Sequence, residues 1–104
     1  MKTLEGGVAM KDRVRVFAVE TKDGQTVGLY VKRYYGKVVY QIALYEYPFF
    51  VNVLKEAGTI QEALEYLEEY LRDKEVVRLR GFWDYAMRYG NEVLKAKLGK
   101  VAGL

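Results

Sequence analysis

The 104-residue chain has no cysteine and no histidine. Their absence excludes disulfides, thiol nucleophiles, imidazole acid–base chemistry and metal sites built on sulfur or imidazole. Serine is missing too and threonine occurs only four times, so catalysis would fall to carboxylates, lysine or tyrosine. The chain is therefore expected not to be an enzyme and to need no cofactor. No apolar run approaches the roughly 18 residues of a membrane span, and the N-terminus lacks a signal-peptide layout. Gly6-Gly7 is not followed by the Lys-Ser/Thr of a phosphate loop. These absences, with a single proline at position 48 and abundant Lys, Arg and Glu, fit a cytoplasmic protein from a hot environment.

Hydrophobic residues make up 51% of the chain, enough for a globular core, and the length suits one domain. Residues 1–11, with a Gly-Gly pair and no periodicity, read as a mobile lead-in to a domain over residues 12–104. Aromatic residues are plentiful: ten Tyr, four Phe and one Trp. The net charge is +3 but unevenly spread, with nine basic and six acidic residues in 1–58, two and six in 59–75, and six and two in 76–104. A mild basic bias of this kind admits an anionic partner without requiring one.

Residues 12–20, 25–35 and 38–47 read as a three-stranded antiparallel meander. Asp23-Gly24 suits a two-residue type I′ turn, and Gly36-Lys37 has the leading glycine of a type II′ turn. These turns set Ala18 opposite Leu29, Arg15 opposite Lys32, and Leu29 opposite Leu44. Alternation then divides the residues into two faces. One collects Val14, Val16, Ala18, Val27, Leu29, Val31, Val38, Ile42 and Leu44. The other collects Arg13, Arg15, Phe17, Tyr30, Lys32, Tyr34, Lys37, Gln41 and Tyr45. A cation facing a cation across strands is destabilising, so Arg15 opposite Lys32 calls for a bound anion or a carboxylate from elsewhere.

Downstream, residues 49–57 read as a short helix opened by Pro48 and ended by Gly58, with continued strand as the alternative. Thr59-Ile60-Gln61-Glu62 is a capping box. It opens a helix over 59–73 whose Ile60, Ala63, Leu64, Leu67 and Leu71 face the sheet while Glu62, Glu65, Glu68, Glu69 and Asp73 face water. Val77 and Leu79 alternate with Arg78 and Arg80 in a fourth strand ending at Gly81, and a helix follows over 82–98. The expected fold is α+β: a four-stranded antiparallel sheet with two main helices and one short helix.

Charge for phosphates and flat rings for bases are what a single strand of nucleic acid needs. The basic, tyrosine-rich face supplies both, and Arg78-Leu79-Arg80-Gly81-Phe82-Trp83-Asp84-Tyr85-Ala86-Met87-Arg88-Tyr89 mixes cations and rings most densely. The candidate phosphate contacts are Arg13, Arg15, Lys32, Lys37, Arg78, Arg80 and Arg88. The candidate stacking rings are Phe17, Tyr30, Tyr34, Trp83, Tyr85 and Tyr89. Against this stand plainer readings: tyrosine favours strands, lysine favours water, and Phe82, Trp83, Ala86 and Met87 suit the buried side of a helix. Acidic pairs such as Glu65 and Glu69 are common on solvated helix faces and suggest no metal site.

Val14-Arg15-Val16-Phe17, the tyrosine-rich meander and Arg78-Leu79-Arg80-Gly81-Phe82-Trp83, set in a small α+β domain, resemble over residues 12–98 the ThermoDBP group of thermophilic archaeal single-stranded DNA-binding proteins, which do not use an OB-fold. The likeness lies in general character rather than in a signature motif. It implies a basic cleft lined by exposed aromatics, sequence-tolerant binding and a homodimer. The expected function is thus sequence-tolerant binding of single-stranded DNA, with RNA as the other candidate. The alternative is a protein-interaction or oligomerisation module that buries the same aromatic face.

Overall fold

The computed structural model describes residues 13–46 and 50–103. The expected lead-in over 1–11 and Pro48 lie outside the described residues. In chain order the elements are β1 (Arg13–Thr21), β2 (Thr26–Tyr34), β3 (Lys37–Glu46), β4 (Phe50–Ala57), α1 (Ile60–Tyr70), β5 (Val76–Gly81), α2 (Asp84–Tyr89) and α3 (Glu92–Ala102). The α+β class is as expected, but the antiparallel sheet has five strands, in the order β4-β3-β2-β1-β5. The additional strand replaces the short helix expected over 49–57. Phe50, Val51 and Val53 are aromatic or β-branched, and the strand lies on the sheet edge with an extra residue, Leu54, bulged against the core.

Both hairpins differ from their expected turns. At the first, the Thr21 amide donates to the Gln25 carbonyl at 2.9 Å and Gly24, at φ 95°, donates back to the Thr21 carbonyl at 3.0 Å. The loop is thus the three residues Lys22–Gly24, closed by a left-handed glycine. It sets Phe17 opposite Leu29 and Ala18 opposite Gly28, one residue away from the expected register. That offset carries Phe17 into the core and Ala18 to the other face. Val16 then inserts as a bulge between Arg15 and Phe17. A second one-residue change restores the original sides, so Arg13 and Arg15 stay off the core as expected. The second hairpin turns at Tyr35-Gly36, both at positive φ (47° and 83°), as a type I′ turn requires. Its register moves by two residues, and a shift of two leaves every side chain on its expected face.

All three helices pack on one side. Phe17, Val19, Val27, Leu29 and Ile42 of the sheet meet Ala63, Leu64, Leu67 and Leu71 from the α1 segment, Ala86 of α2, and Leu94 and Leu98 of α3. Each fully buried large apolar side chain contributes about 1.5–3 kcal/mol. The Thr59 hydroxyl accepts from the Glu62 amide at 3.2 Å, as half of the expected capping box. Glu68 departs from its expected solvated position: it is buried, with Arg72 hydrogen-bonded to its carboxylate at 3.1 Å. The single helix expected over 82–98 is two helices. Gly90 is extended, and the Asn91 side chain caps α3 by accepting from the Leu94 amide at 2.9 Å. In β5, Val76 and Leu79 face the core while Val77 is the bulged, exposed residue.

Candidate nucleic-acid interface

The face of the sheet away from the helices is a grid of rows fixed by strand register. Arg13 and Lys32 are paired across β1 and β2, with Val39 beyond them on β3. The next row runs Arg15, Tyr30, Gln41, Glu56. Below it lie Arg80, Ala18, Gly28, Ala43 and Val53. The expected cross-strand pair of cations is therefore present, but as Arg13 with Lys32; Arg15 faces Tyr30. Tyr34 and Lys37 face each other at the hairpin end.

Small residues at Ala18, Gly28 and Ala43 leave a shallow trough, and the Tyr30 ring settles beside it. A Cβ built on Gly28 would lie 3.3 Å from Tyr30 Cε1 and 3.3 Å from the Ala18 Cβ. Tyr30 is consequently buried although it lies on the expected face. Burial raises its phenol pKa, against the pull of Arg15 and Arg13 toward the ionised form. Tyr34 and Tyr45 are the rings that remain accessible here, at 38% and 41%. Lys32 Nζ lies 4.8 Å from the centre of the Tyr34 ring. Burial first, and then the Glu56 carboxylate, raise the pKa of Tyr34.

The expected phosphate contacts divide by what neutralises them. Among the described residues, no carboxylate lies within 4.0 Å of Arg13, Arg15, Lys32 or Lys37. Arg78 and Arg80 do project onto the same face, as the alternation of their strand indicates, but both are bound to Glu20. The Arg80 hydrogen bond holds the Glu20 carboxyl below the usual carboxylate range, with the charges of Arg80 and Arg78 reinforcing it. Arg88 is shared with Asp84 at 3.8 Å.

Several expected stacking residues lie elsewhere. Phe17 is fully buried on the helix side, and Trp83 is half-buried against the core. Tyr85 and Tyr89 belong to α2 in the helix layer, their ring centres 6.1 Å apart, with the Arg88 guanidinium 6.0 Å from the Tyr89 ring. The structure therefore unites Arg13, Arg15, Tyr30, Lys32, Tyr34 and Lys37, with Arg78 and Arg80 along the β5 edge, and leaves the α2 cluster apart. Tyr45, Gln41 and Glu56 join the site without having been candidates. Alternation already assigned the first two to this face. Glu56 was hidden in a stretch read as helix.

Among the described residues no cluster of acidic side chains is arranged to hold a metal ion, and no helix is long and apolar enough to cross a membrane. No protein-family model, curated protein or solved structure matches the chain.

Proposed function

We propose that the helix-free face binds single-stranded nucleic acid, DNA in the first place, largely without regard to sequence. The carrying observation is the row structure of unneutralised cations: Arg13, Arg15, Lys32 and Lys37 share one sheet face without a carboxylate partner among the described residues. Two guanidiniums and two ammonium groups spaced by strand geometry suit consecutive phosphates. Tyr34 and Tyr45 offer rings to the bases between them, each stacked base being worth about 1–3 kcal/mol. The resemblance to the ThermoDBP group supports the same reading, including a dimeric state. The thermophilic and cytoplasmic setting read from composition belongs to this proposal as well.

The test is fluorescence anisotropy of a labelled dT oligomer against a matched duplex at two salt concentrations. A label on the strand is needed because Trp83 lies against the core rather than on this face. Single-strand binding that weakens with salt and exceeds duplex binding is expected; no binding at low salt would overturn the proposal. If the face instead joins copies of the chain, Tyr34→Ala changes the size measured by light scattering and leaves nucleic-acid binding absent.

A further inference from the structure

β5 ends the sheet on one side: among the described residues it pairs with β1 and with no other strand. The backbone groups that point away from β1 are therefore open, and an open edge is a template for another strand. Between this strand and α3 lies a groove of about 450 Å³. Glu75, Val76 and Val77 line it from the strand side, and Lys97, Lys100 and Val101 from the helix. The bulge at Val77 leaves that aliphatic side chain 49% exposed at the groove.

The lining selects among occupants. It is aliphatic and carries no aromatic ring, so a nucleic-acid base finds nothing to stack on. Lys97 and Lys100 are neighbours on one face of α3, and neither has a carboxylate within 4.0 Å among the described residues. Lys97 Nζ donates to the Lys74 carbonyl at 2.8 Å, which holds that ammonium in place, while Lys100 is exposed. The acid of the lining, Glu75, is already shared with Lys22 at 3.8 Å. The groove therefore keeps a surplus of positive charge. A second copy of this edge would add its own Arg78, Arg80, Lys97 and Lys100 against only Glu20 and Glu75, so like charge disfavours self-pairing. An extended segment carrying acidic and aliphatic residues answers the charge, the apolar lining and the open backbone together.

We propose that the groove between β5 and α3 binds an acidic, extended segment of a partner protein. The segment adds to β5 as a further strand, rests an aliphatic side chain on Val77 and Val101, and sets a carboxylate at Lys97 and Lys100. The site goes beyond the single-strand reading and does not depend on it, because it shares no residue with Arg13, Arg15, Lys32 and Lys37.

The experiment titrates the isotope-labelled protein with a short, terminally blocked peptide alternating valine and glutamate, read by amide chemical shifts. Shifts at Val77, Leu79 and Lys100 are expected. The same peptide with lysine for glutamate should bind at least about tenfold more weakly, and Lys100→Glu should weaken the acidic peptide about tenfold, since like charge then replaces opposite charge. Methylating every second peptide nitrogen should abolish binding in one phase and spare it in the other, because only alternate amides face a strand edge. A saturating dT oligomer should leave the peptide's affinity unchanged. No shifts at millimolar peptide, equal binding of acidic and basic peptides, binding indifferent to Lys100→Glu, or both methylated peptides behaving alike would each overturn the proposal. Displacement of the peptide by the dT oligomer overturns it too, by moving the site to the strand-binding face. Failure of the dT oligomer itself to bind overturns the single-strand reading and leaves the groove standing. The peptide series on the unmodified protein decides the matter even if Lys100→Glu does not fold.

Discussion

The division of cations into neutralised and unneutralised sets makes a quantitative prediction about salt. For single strands the logarithm of affinity falls with the logarithm of salt with a slope of about −0.7 per phosphate contact. If Arg13, Arg15, Lys32 and Lys37 each hold one phosphate, the slope is about −2.8, and raising salt fourfold weakens binding about 50-fold. Arg15→Ala should reduce the slope to about −2.1, or about 18-fold over the same interval. Arg80→Ala should change it far less, because Arg80 is already matched to Glu20 and must leave that carboxylate to meet a phosphate. The assay is anisotropy of a labelled dT oligomer at five or more salt concentrations, with each variant checked for an unchanged thermal melt. A reduction with Arg80→Ala equal to that with Arg15→Ala would refute the division. A wild-type slope near zero would remove phosphate contacts from the proposal altogether.

Three further outcomes test the fold beneath the site. Gly81 has φ 79°, and a Cβ there would lie 2.7 Å from the Val16 carbonyl oxygen; Gly81→Ala should cost about 2–3 kcal/mol, whereas Gly58→Ala, with open space around it, should leave the denaturation midpoint nearly unchanged. Phe17→Ala should cost about 3–5 kcal/mol and Val14→Ala, 67% exposed, less than about 0.5 kcal/mol, by urea denaturation; comparable losses would contradict the placement of Phe17 in the core and of Val14 at the exposed end of β1. The Glu68 carboxyl is held below its ordinary range chiefly by its hydrogen bond to Arg72. Its stabilisation is therefore complete above the unfolded-state pKa near ~4.3 and is lost as pH falls through the lower folded value. Glu68→Ala should cost about 1–2 kcal/mol at pH 7, discounted because Arg72 is largely solvated, and the gap from wild type should narrow on acidification.

The α+β class, the apolar stripe of α1, its Thr59 cap and the cationic side of β5 were all legible in the sequence, because each follows from local chemistry repeated over several residues. What escaped were single-residue events. A two- and a three-residue loop both accept Asp23-Gly24, and the choice alone inverts Phe17 and Ala18. The bulge at Val16 then inverts Arg13 and Arg15 back. Only the close approach of Gly81 to the Val16 carbonyl, a contact across 65 positions of chain, reveals why the bulge sits there. Gly90-Asn91 did carry a readable signal, a breaker followed by a cap, which the longer hydrophobic period obscured. The strand at Phe50–Ala57 was masked by its own bulge: Leu54 spoils the alternation that would have distinguished it from a helix.

The candidate site shows why face assignment and site assignment are different problems. Alternation placed Arg13, Arg15, Tyr30, Lys32, Tyr34 and Lys37 on one face correctly, yet it could not say which cations would find carboxylates or which rings would be covered. Glu20 lies on β1 beside two arginines that arrive some sixty residues later, so the pairing that silences Arg78 and Arg80 exists only in three dimensions. Likewise Tyr30 is hidden because its ring lies beside Gly28, the neighbour on the same strand face, whose own cross-strand partners Ala18 and Ala43 are small. The trough therefore receives the ring before any base can. The binding surface is what remains after these internal matches are made. Among the described residues, the remainder on this face is a set of cations without a carboxylate partner, the partly exposed Tyr34 ring, and the amide oxygen of Gln41, which has no hydrogen-bond partner.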